Sequence, residues 1–190
     1  PSLLQGQLAA AKRLGRKTGR GVFDYREGAA RPAPNFEPVT SERLDEVLVG
    51  SEATALRRLL DECGVSYKLW TDQGHARQAK VDGVDVSFTT GETAQQLACM
   101  PGSSCLVLDW MRDPKSAAAI VFSASDDHAR ECARRFAAAL GKKAIELADR
   151  PGLVVFRTLA QLANSAADAV HDRVADATSI DRAMINGVNY

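Results

Sequence analysis

Val47-Leu48-Val49-Gly50-Ser51-Glu52-Ala53-Thr54-Ala55 decides how the middle of this chain is read. Three β-forming apolar residues end at a glycine, and a helical pattern follows over 51–63. A strand feeding a helix is the first half of a βαβ unit. The alternation continues outward through Val65-Ser66-Tyr67-Lys68-Leu69-Trp70, Val84-Asp85-Val86-Ser87-Phe88, Cys105-Leu106-Val107-Leu108-Asp109 and Ala119-Ile120-Val121-Phe122. A weaker apolar run, Ala144-Ile145-Glu146-Leu147, closes the series. Further helical patterns lie near 92–99 and 126–140. In the last, Ser125 or Asp126 is placed to cap, and Cys132, Phe136, Ala139 and Leu140 share a face. Parallel strands need crossover connections, and helices supply them. Residues 45–148 are therefore predicted to form a small α/β domain with a mostly parallel sheet.

A dinucleotide-binding sheet of this kind would read Gly-x-Gly-x-x-Gly directly after its first strand. Here only Gly50 is in place. Glu52 falls where backbone must approach a pyrophosphate, and it adds bulk and negative charge. A carboxylate there would also occupy the positive end of the following helix. Asp72, 22 positions beyond Gly50, lies near where a ribose-binding acid would fall. A single acid at a strand end is common by chance. The domain reads as a Rossmann-like sheet that has lost its ligand.

Lys plus Arg and Asp plus Glu both number 24, so the chain's overall charge gives no reason to expect a nucleic-acid or membrane partner. No apolar run approaches the roughly 20 residues of a membrane span. The opening Pro1-Ser2-Leu3-Leu4-Gln5-Gly6-Gln7 lacks the pattern of a secretory signal and an initiator Met, so a cytoplasmic chain that begins elsewhere is expected. Cys63, Cys99, Cys105 and Cys132 show no Cys-x-x-Cys spacing and read as reduced core thiols.

The flanks differ in character. Leu3, Leu4, Leu8 and Ala11 suggest one face of an Ala-rich helix, which stops at Leu14-Gly15-Arg16-Lys17-Thr18-Gly19-Arg20-Gly21 and runs into Val22-Phe23-Asp24-Tyr25. Residues 26–44 hold Pro32, Pro34 and Pro38 among few apolar side chains, the composition of a stiff linker. A new segment starts at Asp149-Arg150-Pro151-Gly152, with Pro151 expected inside the first turn of a long helix. Leu153, Phe156, Leu159, Ala160, Ala163 and Val170 recur near helical spacing. After a break at Asp176-Ala177, Thr178 with Asp181 suggests a capping box opening another helix. Nothing in the sequence covers the apolar face of 153–170, so 149–190 is expected to be the opening of a larger helical domain.

Together the two flanks resemble a known family. The run 14–25 is similar to the closing motif of the helical C-terminal domain of 3-hydroxyacyl-CoA dehydrogenases. Arg150-Pro151-Gly152-Leu153-Val154-Val155, then 175–181, Ala183-Met184 and Gly187-Val188-Asn189-Tyr190, resemble the opening of the same domain. Tail before head matches the long bacterial dehydrogenases that carry two such helical domains with a small Rossmann-like domain between them. The resemblance implies an internal region of an NAD-dependent enzyme oxidising 3-hydroxybutyryl-CoA or 3-hydroxyadipyl-CoA, in fatty-acid or phenylacetate breakdown. It divides the chain into 1–25, the tail of a first helical domain; 26–44, a linker; 45–148, the Rossmann-like domain; and 149–190, the opening half of a second helical domain.

The same resemblance makes this region non-catalytic. The family's acid/base His–Glu pair belongs to a nucleotide-binding domain whose His-x-Phe-x-Pro motif is absent here, and His75, His128 and His171 sit in unrelated contexts. The helical domain's catalytic Asn stands in a Val-Val-Asn-Arg run; here the run is Val154-Val155-Phe156-Arg157. Phe156 cannot hydrogen-bond a substrate carbonyl and is expected to be a core or interface aromatic. No catalytic, cofactor or metal residue is therefore expected within the chain, NAD being the whole enzyme's cofactor. The expected partners are the enzyme's remaining domains and a second copy of the chain, with 1–25 of one copy docking on 151–190 of another. The alternative is a stand-alone module that binds a nucleotide or acyl-CoA. Arg16, Lys17 and Arg20 could meet CoA phosphates or form a solvated basic turn. Asp126-Asp127-His128 is better explained by helix capping than by a metal. Trp70 and Trp110, which follow strands, either line a pocket or close the sheet edge.

Overall fold

The computed structural model describes residues 3–30, 32–38, 40–70 and 78–188, and the chain divides into two compact units, Pro1–Asn35 and Phe36–Tyr190. In the first, helix α1 (Leu3–Ala10) buries none of its residues, and a 3-10 turn, Arg16–Thr18, follows it. A tight glycine-rich loop over 15–25 surrounds that turn.

The second unit is built on a seven-stranded sheet. Its strands are β1 (Val47–Gly50), β2 (Lys68–Trp70), β3 (Ala79–Val81), β4 (Val84–Phe88), β5 (Cys105–Leu108), β6 (Ala119–Ala124) and β7 (Lys143–Glu146), in the order β2-β1-β3-β4-β5-β6-β7. The helices are α2 (Thr54–Cys63), α3 (Ala94–Leu97), α4 (Asp127–Ala139), α5 (Val155–His171) and α6 (Ala177–Val188). The α/β Rossmann-like class with attached helical segments is as the sequence predicts, but the sheet is mixed. β1–β2, β4–β5 and β6–β7 are parallel, whereas β1–β3, β3–β4 and β5–β6 are antiparallel. Chain direction reverses three times, between β2 and β3 and at two further connections made without a crossover helix. One is the hairpin β3–β4, whose turn residues Asp82 and Gly83 have φ of 48° and 86°. Left-handed values at both central positions match the right-handed twist of paired strands. The other is the stretch between β5 and β6, which contains no α-helix.

One face of the sheet carries the main core. Val49, Val81, Val86, Leu106, Leu108, Ile120 and Phe122 are fully buried there with Leu59 and Leu60 of α2. On α4, Ala129, Cys132, Ala133, Phe136 and Ala137 are buried, a spacing that puts all five on one helical stripe. Asp126 caps α4 by accepting the Ala129 N–H at 2.8 Å, as expected. The opposite face is covered thinly, by Ala94 and Leu97 of α3 with Leu153 against Val107.

A buried ion pair ties the hairpin turn to the main core. Asp82, its side chain 7% exposed, accepts the backbone N–H groups of Asp45 and Glu46 at 2.9 Å, and Arg135 of α4 donates to it at 2.7 Å. At the start of this unit, Glu37 is held by Arg134 (2.9 Å) and by its own N–H to the Ala144 carbonyl (2.8 Å).

Three local expectations change. α5 begins at Val155, so Pro151 lies in the preceding turn, outside the helix. There Leu153 adopts φ 45°, a strained value for a branched residue that its burial against Val107 offsets. α6 begins at Ala177, and its first turn is capped by Asp176, which accepts the Ser179 N–H at 2.7 Å, in place of Thr178. Cys105 and Cys132 are buried and Cys63 is half-buried, but Cys99 is exposed because α3 ends before it.

Candidate functional site

β1, β4 and β5 run in the same direction, and their carboxyl ends meet the start of α2. In open α/β sheets this is where a ligand crevice forms. A cleft of about 420 Å³ lies here, and Glu52, Thr54, Gln78, Ser87, Thr90 and Glu92 are among its lining residues. Two of these are carboxylates. Glu92 accepts the Thr90 hydroxyl at 2.6 Å, and that bond, with a backbone N–H, holds its carboxyl below the usual range. Both mean that Glu92 is an anion at neutral pH. Ala53 stands at the N-cap of α2, where no side chain accepts a hydrogen bond. Beside the cleft is a smaller apolar pocket of about 230 Å³ walled by Phe88, Trp110, Met111 and Pro114.

Asp109 follows β5 and is 2% exposed. Its carboxylate points at the first turn of α5, where it accepts the N–H of Val154 at 3.0 Å and of Val155 at 2.9 Å, with Phe156 N–H at 3.4 Å. It also accepts the N–H of Trp110 at 2.9 Å. These are the unpaired donors and the positive end of α5, the groups that would otherwise solvate an anion. Asp149 does the same for α3, accepting Ala94 N–H at 2.8 Å and Gln95 N–H at 2.9 Å while the Ser123 hydroxyl donates to it at 2.9 Å. Each helix start is thus neutralised by a carboxylate far away in sequence. No sequence pattern within either helix marks this, because the acceptors come from other strands' ends.

Phe156 lies over the same corner. Its ring meets Trp110 edge-on, with centroids 5.4 Å apart and planes at 61°. Trp110 is fixed in turn by donating its indole N–H to the Thr89 carbonyl at 2.8 Å. A Cβ at Gly152 would lie 3.0 Å from the Phe156 ring, and Gly152 has φ 72°, so glycine is needed there on both counts. Trp110 therefore lines the apolar pocket and also anchors α5. Trp70 ends the edge strand β2, with Lys80 Nζ 5.4 Å from its ring centroid.

The remaining sequence candidates are scattered. Asp72 and His75 lie outside the described residues. His128 is exposed in the first turn of α4 and His171 is exposed at the end of α5. Asp126 is committed to its cap and to the Ser104 hydroxyl (2.8 Å), and Asp127 contacts Arg130. Among the described residues no group of His, Cys, Asp and Glu is arranged to hold a metal. No helix is long and apolar enough to cross a membrane among the described residues.

In the first unit, Arg16, Lys17 and Arg20 lie exposed on a loop locked by its own backbone. Gly15 N–H donates to the Arg20 carbonyl (2.8 Å), Gly21 N–H to Phe23 (2.8 Å) and Tyr25 N–H to Gly19 (2.9 Å). A cleft of about 590 Å³ opens beside this loop, with Arg16, Phe23, Tyr25, Arg26 and Pro32 on its walls.

Comparison with known proteins gives the arrangement a context. Residues 86–151 match the family described as the 3-hydroxybutyryl-CoA dehydrogenase reduced Rossmann-fold domain. The whole chain is 33% identical over 190 residues to 3-hydroxyadipyl-CoA dehydrogenase of Escherichia coli (strain K12), and spans 35% of that protein's length. Among solved structures it is similar to 3-hydroxybutyryl-CoA dehydrogenase from Escherichia coli K12 substr. MG1655, with a TM-score of 0.72 and 30% identity over 100% of this chain and 35% of that one. The motifs at the two ends and the fold between them thus point the same way: residues 86–151 match the model of the 3-hydroxybutyryl-CoA dehydrogenase reduced Rossmann-fold domain, and the chain as a whole is similar to about a third of dehydrogenases of that type.

Proposed function

We propose that this chain is a non-catalytic structural and assembly region of an NAD-dependent 3-hydroxyacyl-CoA dehydrogenase. The whole enzyme would oxidise a 3-hydroxyacyl-CoA to the 3-oxoacyl-CoA in the cytoplasm, in fatty-acid or phenylacetate breakdown. The observation that carries this reading is the corner around Asp109. A carboxylate holds the N–H groups of α5, and Phe156, at the position of the family's Asn, is spent on Trp110. A side chain engaged in aromatic packing offers no hydrogen bond to a substrate carbonyl.

The residues of the crevice do not fit NAD. Glu92, held as an anion, would face its pyrophosphate across a cleft where field lines are focused, and like charges there repel. Hydride transfer is therefore assigned to other parts of the enzyme, and no step of it runs through this chain. What the chain offers is a rigid platform and an unclad helical face. α5 is amphipathic over 17 residues yet buries none of them, and Val155, Leu159 and Val170 are each about 40% exposed. Such a face suits packing against the enzyme's remaining helices or against a second copy.

Two measurements test the reading. NADH added to the isotopically labelled chain should leave the amide resonances of 50–56 and 87–92 unmoved; saturable shifts there would overturn it. Phe156→Asn restores the family's residue at that position. It should still show no oxidation of NADH with acetoacetyl-CoA, and should lower stability by about 2–4 kcal/mol through lost aromatic packing. Turnover by that variant would mean the site was one substitution from competence.

A further inference from the structure

We propose that the loop 15–26 and the cleft beside it form a binding site for a phosphorylated nucleotide, phosphates on Arg16 and Arg20 and base against Tyr25 and Phe23. Charge supplies the first argument. Residues 1–35 contain seven Lys and Arg against two Asp and Glu, whereas residues 36–190 contain 17 against 22. The overall neutrality of the chain conceals a unit of net charge +5. Arg16, Lys17 and Arg20 form no ion pair among the described residues; Arg16 lines the cleft, Arg20 lies beside it and helps hold the Asp24 carboxyl low, and Arg26 is directly engaged by Asp24. Asp24 also lies on the cleft wall, and the Arg26 guanidinium holds its carboxyl far below the usual range.

Rigidity is the second argument. The Thr18 hydroxyl accepts the Leu14 N–H at 2.9 Å and donates to the Arg20 carbonyl at 3.0 Å, closing the turn that carries the three cations. Gly15 and Gly19 have φ of 75° and 69°, and a Cβ at Gly21 would lie 2.8 Å from Gly15 Cα. The backbone strands of this loop touch, so the cations project from a fixed frame and lose little freedom on binding. The third argument is the pair of aromatic rings. Phe23 and Tyr25 are 50% and 41% exposed, and their rings meet edge-on at 6.4 Å. Exposed rings beside guanidinium groups are what a base and its phosphates require. The cleft of about 590 Å³ falls inside the roughly 300–1,000 Å³ of small-ligand sites.

Coenzyme A ends in such a nucleotide. Choosing it as the natural source rests on the dehydrogenase reading above; nucleotide binding itself does not.

The test is titration of the whole chain, by calorimetry and amide shifts, with adenosine 3′,5′-bisphosphate, CoA, inorganic pyrophosphate and a single-stranded DNA 12-mer. The bisphosphate and CoA should bind alike and shift residues 15–26. Arg16→Gln with Arg20→Gln, both exposed, should weaken binding about tenfold or more. Phe23→Ser should weaken the nucleotides about tenfold and leave pyrophosphate unchanged. Bisphosphate binding without CoA binding would support the site and remove coenzyme A as its source. Absence of binding by a folded chain would overturn the proposal. So would pyrophosphate binding as tightly as the bisphosphate, indifference to the arginine substitutions, or a 12-mer bound a hundredfold more tightly, which would make the loop a nucleic-acid surface.

Discussion

Asp109 ties two elements with one carboxylate, which serves a strand end and a helix start together. Asp109→Ala should cost about 1–3 kcal/mol, since the freed N–H groups of Val154 and Val155 are close enough to solvent to be partly rehydrated. In a chain of this size that lowers the thermal midpoint by about 2–10 °C. Asp109→Asn keeps an acceptor and should lose less; differential scanning fluorimetry of both variants checks the order. The thiols offer a second check at this scale. Burial pushes Cys132 up to about 12 and Cys105 up to about 11, so neither presents a thiolate near pH 8. Disulfide-reagent labelling at that pH should count Cys99 first, Cys63 more slowly, and Cys105 and Cys132 only after denaturant is added. Reading all four as core thiols from sequence failed at Cys99, because a four-residue helix leaves no room for it on the buried side.

Among elements, the β3–β4 hairpin is the one the sequence held and periodicity did not find. Val81-Asp82-Gly83-Val84 is a strong turn signal, but β3 is only three residues long, too short to register as an apolar run. Missing it turned a mixed sheet into a mostly parallel one. The strands β1, β4, β5, β6 and β7 and the helix α4 were legible because their apolar residues recur at the periods of the elements themselves. The start of α5 was not, since its true cap, Asp109, lies 45 residues before Val154. Nor was the fate of Phe156 fully legible. Its mismatch with the family's Asn marked it as an aromatic with a packing role, but only the fold brings Trp110 to it. Asp82 provides the test at this scale. Asp82→Ala removes the acceptor of Asp45 and Glu46 and leaves Arg135 buried without its carboxylate. The expected loss is about 3–5 kcal/mol, read from urea unfolding, and reversal of charge at both positions should not restore it because the backbone donors would remain unpaired.

For the whole molecule, the decisive property is an apolar helical face that is left exposed among the described residues. Val155, Leu159 and Val170 of α5, with Ile185 of α6, are exposed together with the still more open Val174. Sedimentation of the chain should therefore show a concentration-dependent dimer or larger species, and Leu159→Glu should shift it toward monomer without lowering the thermal midpoint by more than about 2 °C. A chain that stays monomeric at about 100 μM would remove self-association as the role of this face. The way α5 is fastened then acquires a mechanical meaning. Leu153 is sunk in the core and the next three N–H groups are tied to Asp109, so no slack residue separates the strand ends from the helix. α5 is a lever welded at one end. A pull on its free length is therefore met first by the carboxylate at the end of β5 and not by a flexible joint.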